Sequence, residues 1–136
     1  MKTIARLFSP RTALAEITLL SGIALFSSLY LQYVALYLPC RYCYVLRYLT
    51  LGILIVSAVG QILPRLAADI STSICGVSLV GVGVSVFLIA DELFPTTGIC
   101  AACVFAPPIL GISLYDYSLA FMVIVLGLSL SVALRK

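Results

Sequence analysis

Four stretches of this chain are almost wholly apolar, at residues 14–38, 44–63, 72–90 and 117–134. Each is close to the ~20 residues that a helix needs to cross a bilayer. Pro39 closes the first stretch, Pro64-Arg65 the second and Asp91-Glu92 the third, while Arg135-Lys136 follows the fourth. The first is too long for the core of a signal peptide, which runs to roughly 7–15 residues, so it reads as a retained helix. The pattern predicts an all-α membrane protein: one domain over residues 1–136, built as a four-transmembrane-helix bundle. Between the third and fourth stretches lies a longer connection that contains Pro95, Pro107 and Pro108. Its 104–114 part is apolar and is expected to lie along the membrane surface, with its large side chains at the headgroup boundary.

Composition agrees with the pattern. Of 136 residues 63% are hydrophobic and 10% charged, with a mean hydropathy of +1.24. A soluble domain carries roughly a quarter charged residues. The net charge of +3 comes with no basic stripe of the kind that binds nucleic acid. Histidine is absent, which removes the usual proton shuttle and the commonest metal ligand. Proton or electron chemistry therefore falls to cysteine, tyrosine, the few carboxylates or a bound cofactor.

The basic residues set an orientation. With both termini cytoplasmic, the inner face collects Lys2, Arg6, Arg11, Arg65, Arg135 and Lys136, and the outer face only Arg41 and Arg47. That is a clear positive-inside bias. All eight tyrosines then fall toward the outer half, as an interfacial aromatic belt does. Tyr42, Tyr44 and Tyr48 are also placed to wall a pocket for a flat ring. Gly76, Gly81 and Gly83 with Ser78 and Ser85 in the third stretch, and Gly52 and Gly60 in the second, are expected to let helices approach closely.

Four of the five cysteines form two C-x-x-C pairs, Cys40/Cys43 and Cys100/Cys103. The charge-derived topology puts both pairs on the outer face, the oxidising side of a prokaryotic plasma membrane. Cys75, near the inner end of the third stretch, reads as a small apolar packing residue. Arg47 follows Cys43 by four residues, so on a helix the two share a face. A sulfur at that helix N-terminus feels the dipole and the guanidinium, and both favour thiolate.

Three chemistries fit two such pairs. Relay thiol–disulfide exchange is favoured, with electrons entering one pair and leaving by the other. A four-cysteine zinc or iron–sulfur site suits the spacing but not an outward-facing membrane location. Two inert disulfides would close very small loops and stabilise little. Arg47 also argues for a task, because a charge at the membrane end of a helix is costly; its plain alternative is snorkelling to the headgroups. A thiol pair at a membrane needs an electron sink. A lipid-soluble quinone fits, with its ring near Cys43 and its oxygen met by Arg47.

Pro39-Cys40-x-x-Cys43-x-x-x-Arg47 between a first and a second helix, with Cys100 and Cys103 between a third and a fourth, resembles the disulfide bond formation protein B (DsbB) family. The resemblance implies a thiol:quinone oxidoreductase of the prokaryotic inner membrane with its active site on the outer face. It would reoxidise a soluble thioredoxin-like, DsbA-type partner and pass electrons to a membrane quinone of the ubiquinone or menaquinone type. It further implies that Cys40 and Cys43 are the quinone-proximal pair, that Cys43 and Arg47 contact the quinone, and that Cys100 and Cys103 meet the partner. Cys100 and Cys103 lie closer together here than in the best-known members of that family. By chain order Cys100 is assigned to the partner and Cys103 to the hand-over. The nearest rival is similar to vitamin K epoxide reductase, whose quinone-side pair opens the last helix, whereas here the pair followed by helix and arginine is the first. A non-enzymatic membrane subunit with structural disulfides is the reading from a different class.

Overall fold

The computed structural model describes residues 9–36, 41–94 and 110–134. Four long helices account for nearly all of them: α1 (Pro10–Tyr33), α2 (Arg41–Ile62), α3 (Ala67–Leu93) and α4 (Leu114–Ala133). A single 3-10 turn, Pro64–Leu66, joins α2 to α3. All four helices are long and apolar enough to cross a membrane.

The helix boundaries differ from the limits of the apolar stretches, and the caps explain why. Ser9 is the N-cap of α1 and its hydroxyl accepts from the Thr12 N–H at 3.4 Å. Pro10 fills the first helical position, where its missing N–H costs nothing. Helix α1 therefore starts four residues before the apolar run and takes in Arg11. It also stops at Tyr33, before Pro39; Leu36 lies in the left-handed region at φ 56°. Helix α2 already includes Arg41, Tyr42 and Cys43. Asp91 and Glu92 do not close the third helix but belong to it, and Asp91 is buried. Ser113 caps α4 through the Asp116 N–H at 3.4 Å, so Tyr115 and Asp116 join that helix. Leu114, expected at the end of a surface-lying segment, is instead the first residue of α4, and most of that segment lies outside the described residues.

Side-chain contacts fix an up-down-up-down order. Arg47 meets Ser28 and Gln61 meets Leu14, so α1 and α2 are antiparallel. Tyr42 faces Phe87 at one end of α2 and α3, and the position of Gly60 faces Ile70 at the other. Gly81 faces Met122 while Ser85 meets Ser118, which runs α4 against α3. The C-termini of α1 and α3 and the N-termini of α2 and α4 thus share one end of the bundle. Tyr30, Tyr33, Tyr42, Tyr44, Tyr48, Tyr115 and Tyr117 all sit in the helix segments at that end.

The buried positions repeat in steps of four and three. In α3 they are Ala67, Ser71, Ile74, Ser78, Gly81, Ser85, Leu88 and Asp91; in α2 they are Leu46, Thr50, Ile53, Ser57 and Gly60. A four-and-three repeat of buried positions is the spacing that suits left-handed packing with crossings of roughly 20°. Small residues on the seam let backbones approach where lipid provides no hydrophobic drive. The seam register corrects the sequence reading of the glycines. Gly60 and Gly81 are buried at helix contacts, whereas a side chain at Gly52, Gly76 or Gly83 would meet nothing within 4 Å.

Polar ties cross from α1 to α2 at two levels. Toward the end remote from Cys43, Gln61 Nε2 donates to Thr18 Oγ1 at 2.6 Å and to the Leu14 carbonyl at 3.3 Å, and Thr18 Oγ1 meets Ser57 Oγ at 2.9 Å. Such interhelical bonds are worth about 0.6–2 kcal/mol each in a membrane. The second tie belongs to Arg47.

Candidate functional site

Helix α2 opens at Arg41, so Cys43 stands in its first turn, where unsatisfied backbone N–H groups carry partial positive charge. Cys43 is half-buried and packs with Tyr42 against the core of the bundle. The Tyr42 ring lies 5.6 Å from that of Phe87 on α3, tilted by 53°. This contact seats the first turn of α2 against α3. Asp91 lies one turn beyond Phe87 and is buried, so a carboxyl group stands at the same end of the bundle. Tyr115 is buried at the start of α4.

Arg47 follows one turn after Cys43, and its guanidinium turns toward α1. Nε donates to Ser28 Oγ at 3.2 Å; Nη2 donates to Ser28 Oγ at 2.9 Å and to the Ser28 carbonyl at 3.3 Å. Nη1 donates to Gln32 Oε1. The guanidinium carbon also stands 5.5 Å from the centroid of the Tyr44 ring, within cation–π range. Among the described residues every partner of Arg47 is neutral. A guanidinium has five N–H groups, two of them on Nη1. Gln32 takes one, and among the described residues the other has no acceptor. Tyr44 and Tyr48 beside it are exposed on the face that lipid would cover.

This arrangement bears directly on the sequence expectations. Cys43 and Arg47 stand one turn apart near the start of α2, as their spacing predicts. Arg47 is a half-buried side chain bonded across a helix interface, which is not the geometry of a cation reaching freely for solvent. Cys75 is a half-buried free thiol in the opening turns of α3. Cys40, Cys100 and Cys103 lie outside the described residues, as does the 95–109 part of the connection that carries the second pair. The sequence reading missed Ser28 and Gln32. Their signal was present: two polar residues four apart in the second half of a membrane-length helix, one of them among only two glutamines in the chain. It also read Asp91 as the close of the third apolar stretch rather than as part of the buried face of α3.

The arrangement can hold a polar group of a flat, lipid-soluble molecule. A cation, an aromatic face beneath it and a cysteine one turn away offer charge, stacking surface and sulfur together. Comparison with known proteins gives one family. The model of the disulfide bond formation protein DsbB matches residues 10–103, which include α1, α2, α3 and both cysteine pairs. No curated protein and no solved structure matches the chain. With more than half of its length matched, and four membrane-length helices around a cysteine–arginine turn, the chain belongs to the DsbB family of disulfide bond formation proteins.

Proposed function

We propose that this protein is a thiol:quinone oxidoreductase of a prokaryotic inner membrane. It reoxidises a soluble thioredoxin-fold, DsbA-type dithiol partner and passes the electrons to the membrane quinone pool. The observation that carries the proposal is Arg47. It is a cation held by neutral groups of α1 one turn from Cys43, with no carboxylate among its described partners. Both termini are cytoplasmic in this reading, and the Cys43 end of the bundle faces outward.

The thiols and electrons balance as follows. A thiolate of the reduced partner attacks the Cys100–Cys103 disulfide, and the partner leaves as its own disulfide. The resulting dithiol then reduces the Cys40–Cys43 disulfide through a mixed disulfide. By chain order Cys100 takes the partner and Cys103 makes the hand-over. A quinone, when bound, takes up the two electrons and two protons given up as the Cys40–Cys43 dithiol closes again. Cys43 supplies the sulfur nearest the ring. Arg47 directs positive charge to where negative charge develops, and it is already oriented before reaction, which is where electrostatic catalysis gains most. Tyr44 presents an aromatic face to the same place.

Substitution of the two described cysteines tests the assignment. Purified protein in lipid nanodiscs is mixed with a reduced thioredoxin-fold oxidase and ubiquinone-1, and quinone absorbance is followed. Cys43→Ser is expected to abolish quinone reduction, while Cys75→Ser leaves it near normal. Equal loss in both variants would overturn the site assignment.

A further inference from the structure

Among the described residues the four bonds that hold Arg47 come from two residues of α1, and neither is charged. Glutamate would reach as far as Gln32 and would bond a guanidinium more strongly, as a charge-assisted pair. It would also cancel the positive charge. Gln32 must accept through Oε1, because a guanidinium only donates. It therefore orients the cation and leaves its charge intact. Ser28 does the same from one turn earlier through its hydroxyl and carbonyl oxygens. Of the carboxylates at this end of the bundle, Glu92 and Asp116 are not among the described hydrogen-bond partners of Arg47.

We propose that Gln32 is a positioning residue that aims the Arg47 guanidinium while keeping it a net cation for the sulfur of Cys43 and the ring oxygen beside it. The inference deepens the thiol:quinone reading and rests on it for its second half. Two demands meet in one side chain. A partner that pinned Arg47 by ion pairing would spend the field that the chemistry uses. With no partner at this position the long side chain would swing to the headgroups.

Two substitutions separate the demands. Gln32→Glu keeps the grip and cancels the charge; Gln32→Leu keeps the charge and loses the grip. Three quantities are read on the full-length protein: unfolding stability in mixed micelles, the alkylation rate of Cys43 at pH 7 in fully reduced, quinone-free protein, and kcat and KM for ubiquinone-1. Alkylation is resolved by peptide mass, so Cys43 is scored apart from the other thiols. For Gln32→Glu the expected result is wild-type or higher stability, several-fold slower alkylation of Cys43, and kcat lower by about 10- to 100-fold. For Gln32→Leu the expected result is a KM raised several-fold, with alkylation closer to wild type. A Gln32→Glu protein that keeps both the wild-type alkylation rate and the wild-type kcat overturns the proposal, because a purely structural tie would tolerate glutamate. If the wild-type protein reduces no quinone, the functional reading falls by itself, and the alkylation rates alone decide whether Gln32 preserves the charge near Cys43.

Discussion

Replacing Gly81 by alanine tests the closest helix contact in the bundle. A Cβ at that position would stand 2.6 Å from Sδ of Met122, 2.9 Å from its Cε and 3.1 Å from its Cγ. Methionine is adaptable, but Met122 is fully buried and three of its atoms would have to move together. Overpacking of this kind costs about 1–3 kcal/mol. Against it stands the helix preference for alanine over glycine, up to about 1 kcal/mol. Gly83→Ala measures that second quantity by itself, since its Cβ would meet nothing within 4 Å. The difference between the two variants is therefore expected to be about 1–3 kcal/mol, with Gly81→Ala the less stable. In a Met122→Ala background the Gly81→Ala penalty should vanish, which gives a coupling energy of similar size. Unfolding by SDS in mixed micelles supplies the free energies, followed through maleimide labelling of Cys75, a free and half-buried thiol of the same helix. Equal stabilities for the alanine variants at 81 and 83 would refute the close approach of α3 and α4 at Gly81 and Met122.

Two more outcomes follow from the ties between α1 and α2. Arg47→Ala should raise KM for ubiquinone-1 by about tenfold or more while changing partner affinity little, as steady-state kinetics with each substrate varied would report; the opposite pattern would mean that Arg47 serves the partner or the headgroups. Gln61→Leu removes the bonds to Thr18 Oγ1 and the Leu14 carbonyl and should cost about 1 kcal/mol in SDS unfolding, with quinone turnover unchanged because that tie lies at the other end of the helices.

Much of the fold was legible because a bilayer makes apolar length informative. Four stretches of about the right length gave four helices, and the spacing of Cys43 and Arg47 on one helix face survived intact. The helix ends were less legible, because hydropathy marks where apolar residues begin and caps mark where helices begin. Ser9-Pro10 and Ser113 with Asp116 carry those signals in the sequence, outside the apolar runs. The glycines could not be sorted by their presence alone. Only the four-and-three register that aligns Gly81 with Ser71, Ser78 and Ser85 separates it from Gly76 and Gly83, which face away from the other helices. Asp91 was taken for a helix stop because a carboxylate after an apolar run commonly marks the interface. The bundle instead turns it inward on the same face as Leu88. Ser28 and Gln32 show the reverse case: a polar pair four residues apart in a membrane helix was readable, yet its partner lay on another helix, and only the packing of α1 on α2 reveals it.

The most direct test of the account is a count of electrons in the absence of oxygen. Reduced thioredoxin-fold partner is added in limiting amount to the protein in nanodiscs with excess ubiquinone-1, and free thiols and quinol are measured together over time. The account predicts one quinol formed for every two thiols lost, with no reaction in Cys43→Ser. Thiols that persist while the quinone stays oxidised, or thiols that disappear without quinol formation, would contradict it.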